Sequence, residues 1–240
     1  MKENAKLLSN HSIGSWEIGG VPLLFPEYRT SSLWRGGAPM CSPMFSTQQR
    51  PIDGCTLPLH GMVMYNEDGV VRKDGLQQGV QTIHKADQNF SWDFTAVTEI
   101  ETDKNTLIHQ HTLTRSSDCS NPSQMPFSLG FHPYFATSGK DFALTIADTH
   151  FTRTSLPTDI VNSYFAQYIS GESATLTTAD GTIVLTPEGY DEYCIWTDCA
   201  ERYICIEPIF QYRDFGLPGT GLKPGESHTA RTALQFTPSD

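Results

Sequence analysis

Short runs of alternating apolar and polar residues, each closed by Gly, Pro, Asp or Asn, recur along the whole chain. Ser91 to Ile100 alternates, with Trp92, Phe94 and Ala96 on one face of an expected strand. Thr102-Asp103-Lys104-Asn105 supplies turn residues, and alternation resumes from Thr106 to Thr114, which reads as a β-hairpin. Phe142, Leu144 and Ile146 fall on one side of another strand. Further strands are expected at Thr182–Leu185, Tyr193–Trp196, Tyr203–Glu207 and Thr229–Phe236. No window of helical length carries a 3.6-residue period, although Ser163–Ile169 fits one or two helical turns. Many short strands without intervening helices predict an all-β antiparallel sandwich rather than an α/β fold.

A length of 240 residues fits one large domain spanning 1–240, since sandwiches of this size often stand undivided. The apolar fraction of 38% is modest, yet the chain is long enough to bury a sizeable core. The net charge of -11 argues against nucleic acid or an anionic membrane as partner, because both need clustered Lys and Arg. It also disfavours a heavily phosphorylated substrate. No apolar run approaches the roughly 20 residues of a membrane helix. The opening Met-Lys-Glu-Asn-Ala-Lys is not followed by the apolar segment of a secretory signal. Six scattered cysteines form no Cys-x-x-Cys. Cys194 and Cys205 lie in apolar strand-like runs, where a buried free thiol is expected. These features fit a reduced, cytoplasmic protein whose oligomeric state is open.

Two segments stand out chemically. In Gly130-Phe131-His132-Pro133-Tyr134-Phe135, the proline biases His132 towards extended backbone and removes a ladder donor, so a strand should end or bulge there. In Cys205-Ile206-Glu207-Pro208, a carboxylate is expected at the end of an apolar strand, where burial would raise its pKa. An imidazole and a carboxylate make a general acid/base pair if the fold brings them together. Taken singly, each has a structural alternative: a histidine bonded to a backbone carbonyl, and a solvated strand-end glutamate. His60 precedes Gly61, which permits a tight turn facing a cleft. Asp191 opens a strand and reads equally as a turn residue. Arg35, in Arg35-Gly36-Gly37-Ala38-Pro39, suits either a substrate hydroxyl or the carbonyls of its own turn. His109 and His111 share a strand face, but no third metal ligand is evident, so no metal site and no cofactor are expected.

Read in order, Arg35-Gly36-Gly37-x-Pro39, Leu-Pro-Leu-His60-Gly61, Gly-Phe-His132-Pro-Tyr-Phe, Tyr-Asp191-x-x-x-x-Trp196, Cys-Ile-Glu207-Pro and Leu222-Lys-Pro-Gly225-Glu226 resemble the aldose 1-epimerase (galactose mutarotase-like) family. The resemblance runs from about Ile18 to Phe236 and is nearest the hexose-6-phosphate epimerase-like branch. It implies a large antiparallel β-supersandwich that binds a sugar in an open cleft, without metal or nucleotide. By the same resemblance His132 would be the general acid and Glu207 the general base, with His60 and Asp191 holding sugar hydroxyls and Arg35 a further binding group.

The sequence departs from that branch after His60-Gly61. Met62-Val63-Met64 stands where the branch has a Phe-Ala-Arg type segment, and Met64 cannot give the paired bonds of a guanidinium. This weakens the phosphosugar reading and motivates an alternative, a non-catalytic carbohydrate-binding or regulatory protein. If phosphosugars are used, Arg35, Arg50 and Arg72 are the candidates to replace the missing arginine.

Overall fold

The computed structural model describes residues 5–29, 34–45, 52–118, 120–137, 139–156 and 165–239. Arg50, Cys119, Ser163 and Tyr164 lie outside them. Within these residues the chain is built from antiparallel strands. The largest sheet has nine strands in the order Thr149–Thr152, Phe142–Ile146, Ala174–Thr178, Gly181–Glu188, Ser227–Pro238, Thr106–Arg115, Phe94–Asp103, Gln77–His84 and Arg72–Asp74. The expected hairpin is present, with Asp103 paired to Thr106 and Lys104 at a φ of 50° in the turn. Phe94, Ala96, Thr98 and Ile100 alternate inward, as do Phe142, Leu144 and Ile146.

A second sheet runs Phe165–Ile169, Glu192–Thr197, Tyr203–Phe210, Leu129–Phe131 and Met40–Cys41, with Tyr134–Ala136 also paired to Tyr203–Phe210. The helical turns expected at Ser163–Ile169 are not formed by its described part. Phe165–Ile169 is instead an edge strand, in register with Tyr193–Thr197. Pairing with a long, preformed neighbour outweighs the weak local preference of so short a segment.

One face of the second sheet packs on the nine-stranded sheet. Met40, Leu129, Phe131, Tyr193, Ile195, Ile204 and Ile206 join Phe94, Ile100, Leu107, Leu113 and Leu234 in one continuous core. The other face carries the alternate positions, Cys194, Trp196, Tyr203, Cys205 and Ile209, in two smaller apolar clusters. Tyr203–Phe210 is therefore buried on both faces. This explains why it reads as a nearly unbroken apolar run.

His109 and His111 point into the core. His111 Nδ1 bonds Thr98 Oγ1 at 2.8 Å, and the same hydroxyl meets His11 Nδ1 at 2.8 Å. His11 Nε2 continues to Thr82 Oγ1 and His111 Nε2 to Ser42 Oγ. His109 instead stacks on Phe131, ring centroids 4.1 Å apart.

Candidate active site

The strand expected to end at Glu207 continues through Pro208 to Phe210, so Glu207 sits inside it. It can do so because the strand opposite is itself interrupted at His132-Pro133. On one side of the interruption Gly130 pairs with Ile209, and on the other Tyr134 pairs with Cys205. The register is the same on both sides, so His132 falls directly across from Glu207. The backbone N–H of His132 turns away to the Pro39 carbonyl, and the Ile209 carbonyl accepts from Asp191 on the far side. His132 and Glu207 thus form the kind of cross-strand pair that exchanges no backbone bonds and holds its side chains closest. Pro133 and Pro208, flanking the pair, each lack a ladder donor where the strands separate.

The side chains meet. His132 Nε2 lies 3.5 Å from Glu207 Oε1, with 4% of His132 and 1% of Glu207 exposed. Neither Glu207 Oε1 nor His132 Nδ1 has a hydrogen-bond partner among the described residues. Burial pushes the Glu207 carboxyl well above its usual 4.5. Burial, aided by His60 and Arg35, drives the His132 imidazole well below 6.5. Both effects oppose net charge, so the pair keeps one proton between its two members.

His60 is brought to this pair. Its φ is 66° and that of Gly61 is 75°; a side chain at Gly61 would place Cβ 2.3 Å from the Ser42 carbonyl oxygen. That carbonyl also accepts from Met62 and Val63, which locks the turn. His60 donates its Nδ1–H to the Phe45 carbonyl, leaving Nε2 as the acceptor nitrogen. Its ring stands edge-on to His132, centroids 5.3 Å apart. Gly130 makes room for this corner, since a Cβ there would lie 2.0 Å from Phe45 Cδ2.

Arg35 approaches from the opposite side. Its guanidinium lies over Trp196, 4.8 Å from the ring centroid. Nε and Nη2 donate to Asp198 Oδ2 at 3.0 and 2.7 Å, and Nη1 donates to the Trp34 carbonyl. Burial works against the charge of Arg35, but Asp198 raises its pKa overall. The second Asp198 oxygen accepts from the Tyr203 hydroxyl. Trp196 in turn stands edge-on to His132, and Tyr134 stacks on His132 at 4.7 Å. Beyond Cys194, the other register partner of Glu207, lies Tyr168, stacked on Tyr212 at 5.0 Å. A buried acid/base pair therefore lies beneath partly exposed His60, Arg35, Trp196, Tyr168 and Tyr212. Aromatic faces beside a polar pair suit the mixed apolar and hydroxyl surface of a sugar ring.

Asp191 is not brought to the pair. It is exposed at the start of its strand, and Oδ2 accepts from the Gln211 backbone N–H at 2.9 Å. Arg72 is exposed on the outermost strand of the other sheet. Met64 is buried, and its carbonyl accepts from Asn10. Sequence reasoning missed Asp198, Tyr168, Tyr212 and the position of Cys205 beside Glu207. The two-residue period of Cys194, Trp196 and Asp198 was the available signal for the first of these. A groove of about 730 Å³ lies elsewhere, on the outer face of the nine-stranded sheet among Gln77, Gln81, Glu99 and Glu101. No helix among the described residues is long and apolar enough to cross a membrane.

No protein-family profile matches the sequence, and no curated protein does. Solved structures do match. A protein of Synechocystis sp. PCC 6803 superimposes with a TM-score of 0.73 at 18% identity, over 96% of this chain and 90% of its own. A galactose mutarotase-like protein from Lactobacillus casei ATCC 334 gives 0.72 at 17% identity, over 97% and 96%. Galactose 1-epimerase from Lactobacillus acidophilus NCFM gives 0.69 at 12% identity, over 100% and 93%. Together with the two sheets and their connections, these similarities establish that the protein has the galactose mutarotase-like fold, an all-β antiparallel supersandwich.

Proposed function

We propose that the protein is an aldose 1-epimerase, a mutarotase that interconverts the α and β anomers of a free hexose or simple hexose derivative. The observation that carries this reading is the buried, cross-strand pair of His132 and Glu207 at 3.5 Å. The two hemiacetal oxygens of a pyranose share one carbon, so an acid and a base this close together can serve both at once. Once the shared proton has passed from the Glu207 carboxyl to the His132 imidazole, Glu207 takes the proton from the C1 hydroxyl while His132 donates one to the ring oxygen as the C1–O5 bond breaks. The open aldehyde turns about C1–C2, and reclosure on its other face reverses both transfers. Atoms and protons balance within the pair and the sugar. His60, through its free Nε2, accepts from a hydroxyl beside His132, and Arg35 presents the Trp196 face on the other side. Asp191 is proposed to hold a sugar hydroxyl only at the outer rim, since it is exposed and its carboxylate accepts from the Gln211 backbone N–H. The five described cysteines are free thiols, which fits a reducing compartment.

The test is anomer exchange, followed by polarimetry or NMR, across glucose, galactose and their 6-phosphates. Accelerated exchange that is lost in both Glu207→Gln and His132→Asn supports the assignment. Exchange that survives both substitutions sinks it. Sugar binding without exchange would instead support a non-catalytic carbohydrate-binding protein.

A further inference from the structure

Cys205 stands two residues before Glu207 on the same strand face, so its thiol projects beside the carboxylate. One ring nitrogen of His132, Cys205 Sγ and one carboxylate oxygen of Glu207 lie within 4.8 Å of one another, and all three residues are buried. An imidazole, a thiol and a carboxylate form a donor set suited to zinc, in the three-ligand pattern that leaves one coordination position open. Tetrahedral zinc holds such donors about 3.3–3.6 Å apart, as its bond lengths of about 2.0–2.3 Å require. The His132–Glu207 separation of 3.5 Å already meets this spacing. Cys205 Sγ, within 4.8 Å of both, completes the set by a side-chain rotation. A second observation points the same way. Glu207 Oε1 is buried and has no hydrogen-bond partner among the described residues, so a ligand-competent lone pair is aimed into the cluster.

We propose that His132, Cys205 and Glu207 form a binding site for Zn²⁺ or a similar thiophilic divalent cation, and that the bound ion blocks the acid/base pair. Binding releases the Cys205 thiol proton, and the carboxyl proton when present, to solvent; no electron is transferred. The metal then occupies the lone pairs that proton transfer needs. The site depends only on these donors. Its consequence, inhibition of anomer exchange, rests on the function proposed above. Cys194 and Cys41 also feel the Glu207 charge, but neither joins the set of mutually close donors.

The experiment uses the whole chain, stripped with a chelator and titrated with Zn²⁺ by calorimetry and with Co²⁺ by absorbance. The wild-type protein should bind a single equivalent and show a thiolate-to-cobalt charge-transfer band. Cys205→Ser, a nearly volume-neutral change, should abolish the band and weaken Zn²⁺ by about 100-fold or more. His132→Asn should weaken it as well, whereas Cys194→Ser and Cys41→Ser should keep the band. The wild-type titration decides independently of how any variant folds: no stoichiometric binding, or no sulfur-to-cobalt band, overturns the proposal. A band that survives Cys205→Ser also overturns it. A metal-binding chain that exchanges no anomers leaves the site standing and removes the epimerase reading. Exchange that persists under stoichiometric Zn²⁺ and reaches the same rate after chelation removes the proposed inhibition.

Discussion

His132 and Glu207 face each other across a gap in the sheet, Nε2 to Oε1 at 3.5 Å, both buried. Their shifts run in opposite directions and widen one window. A second proton on the pair must go on an imidazole held well below 6.5. Loss of the shared proton must come from a carboxyl held well above 4.5. The singly protonated pair, the form that can give one proton and take another, therefore spans the interval between. In the profile of kcat/KM against pH, the acidic limb should fall below 6.5 and the rate should be flat through that value. An acidic limb centred at or above 6.5 would show that the imidazole is not held in this environment.

Each member of the pair should matter greatly and not additively. Glu207→Gln and His132→Asn should each lower kcat by about 10²–10⁴-fold. The double variant should fall little further, because a base without its acid leaves half a reaction. Single-turnover anomer exchange on the three variants checks this, and strictly multiplicative losses would contradict a concerted pair.

Glu207 should also cost stability. Its folded pKa is raised above the unfolded value, so the folded chain holds the proton more tightly. The stabilising contribution of that proton is full below about 4.5, the usual carboxylate value, and is lost as pH rises towards the folded value. A neutral isostere removes this penalty. Glu207→Gln should therefore unfold at a higher temperature than the wild type at pH 7–8 while losing activity, with the gain vanishing near pH 4. Equal melting temperatures at both pH values would refute it.

The turn that positions His60 admits one residue type at position 61. Gly61 has a φ of 75°, and an added Cβ would lie 2.3 Å from the Ser42 carbonyl oxygen. Gly75 has a similar φ of 60° but opens on empty space. Gly75→Ala should cost only about 1 kcal/mol, the left-handed backbone penalty. Gly61→Ala should cost about 2–3 kcal/mol or more and reduce anomer exchange by moving His60. Urea unfolding of both variants separates the two contributions; equal losses would mean the Ser42 contact is slack.

The strand pattern was legible because core positions alternate cleanly in the nine-stranded sheet, as Phe94, Ala96 and Ile100 illustrate. It was less legible where both faces are buried. Tyr203–Phe210 gives no alternation from which to tell the face of Glu207 from that of Ile206. Pro208 suggested a strand end by the ordinary rule that proline breaks a ladder. The rule fails here because the neighbouring strand is itself broken at Pro133, a pairing between residues far apart in sequence. Motif order picked out His132, Glu207, His60 and Arg35, which the fold gathers. Asp191 came from the same order, yet its carboxylate is engaged with the Gln211 backbone. Asp198 went unnoticed because a short acidic residue after a strand ordinarily signals a turn, and only the fold brings Arg35 to it.

Three histidines of the core predict how the chain responds to acid. His11 and His109 are buried among core residues, and burial lowers their pKa from 6.5 to about 4 and about 3. His111 moves in the same direction for the same leading reason. A histidine with a depressed folded pKa binds its proton more readily in the unfolded chain. Stability is then full above 6.5 and is lost as pH falls towards the folded value. At pH 5 the unfolded form of such a residue is almost wholly protonated and the folded form almost wholly neutral. Linkage then gives about 2 kcal/mol lost per histidine between pH 7 and 5. His11 and His109 together should lower the unfolding free energy by about 4 kcal/mol over that interval, with His111 steepening the fall. Urea denaturation at pH 7 and pH 5 measures the difference. A near-constant stability would mean that the His11–Thr98–His111 network accepts protons without opening, and that these rings are less sealed than their hydrogen bonds imply.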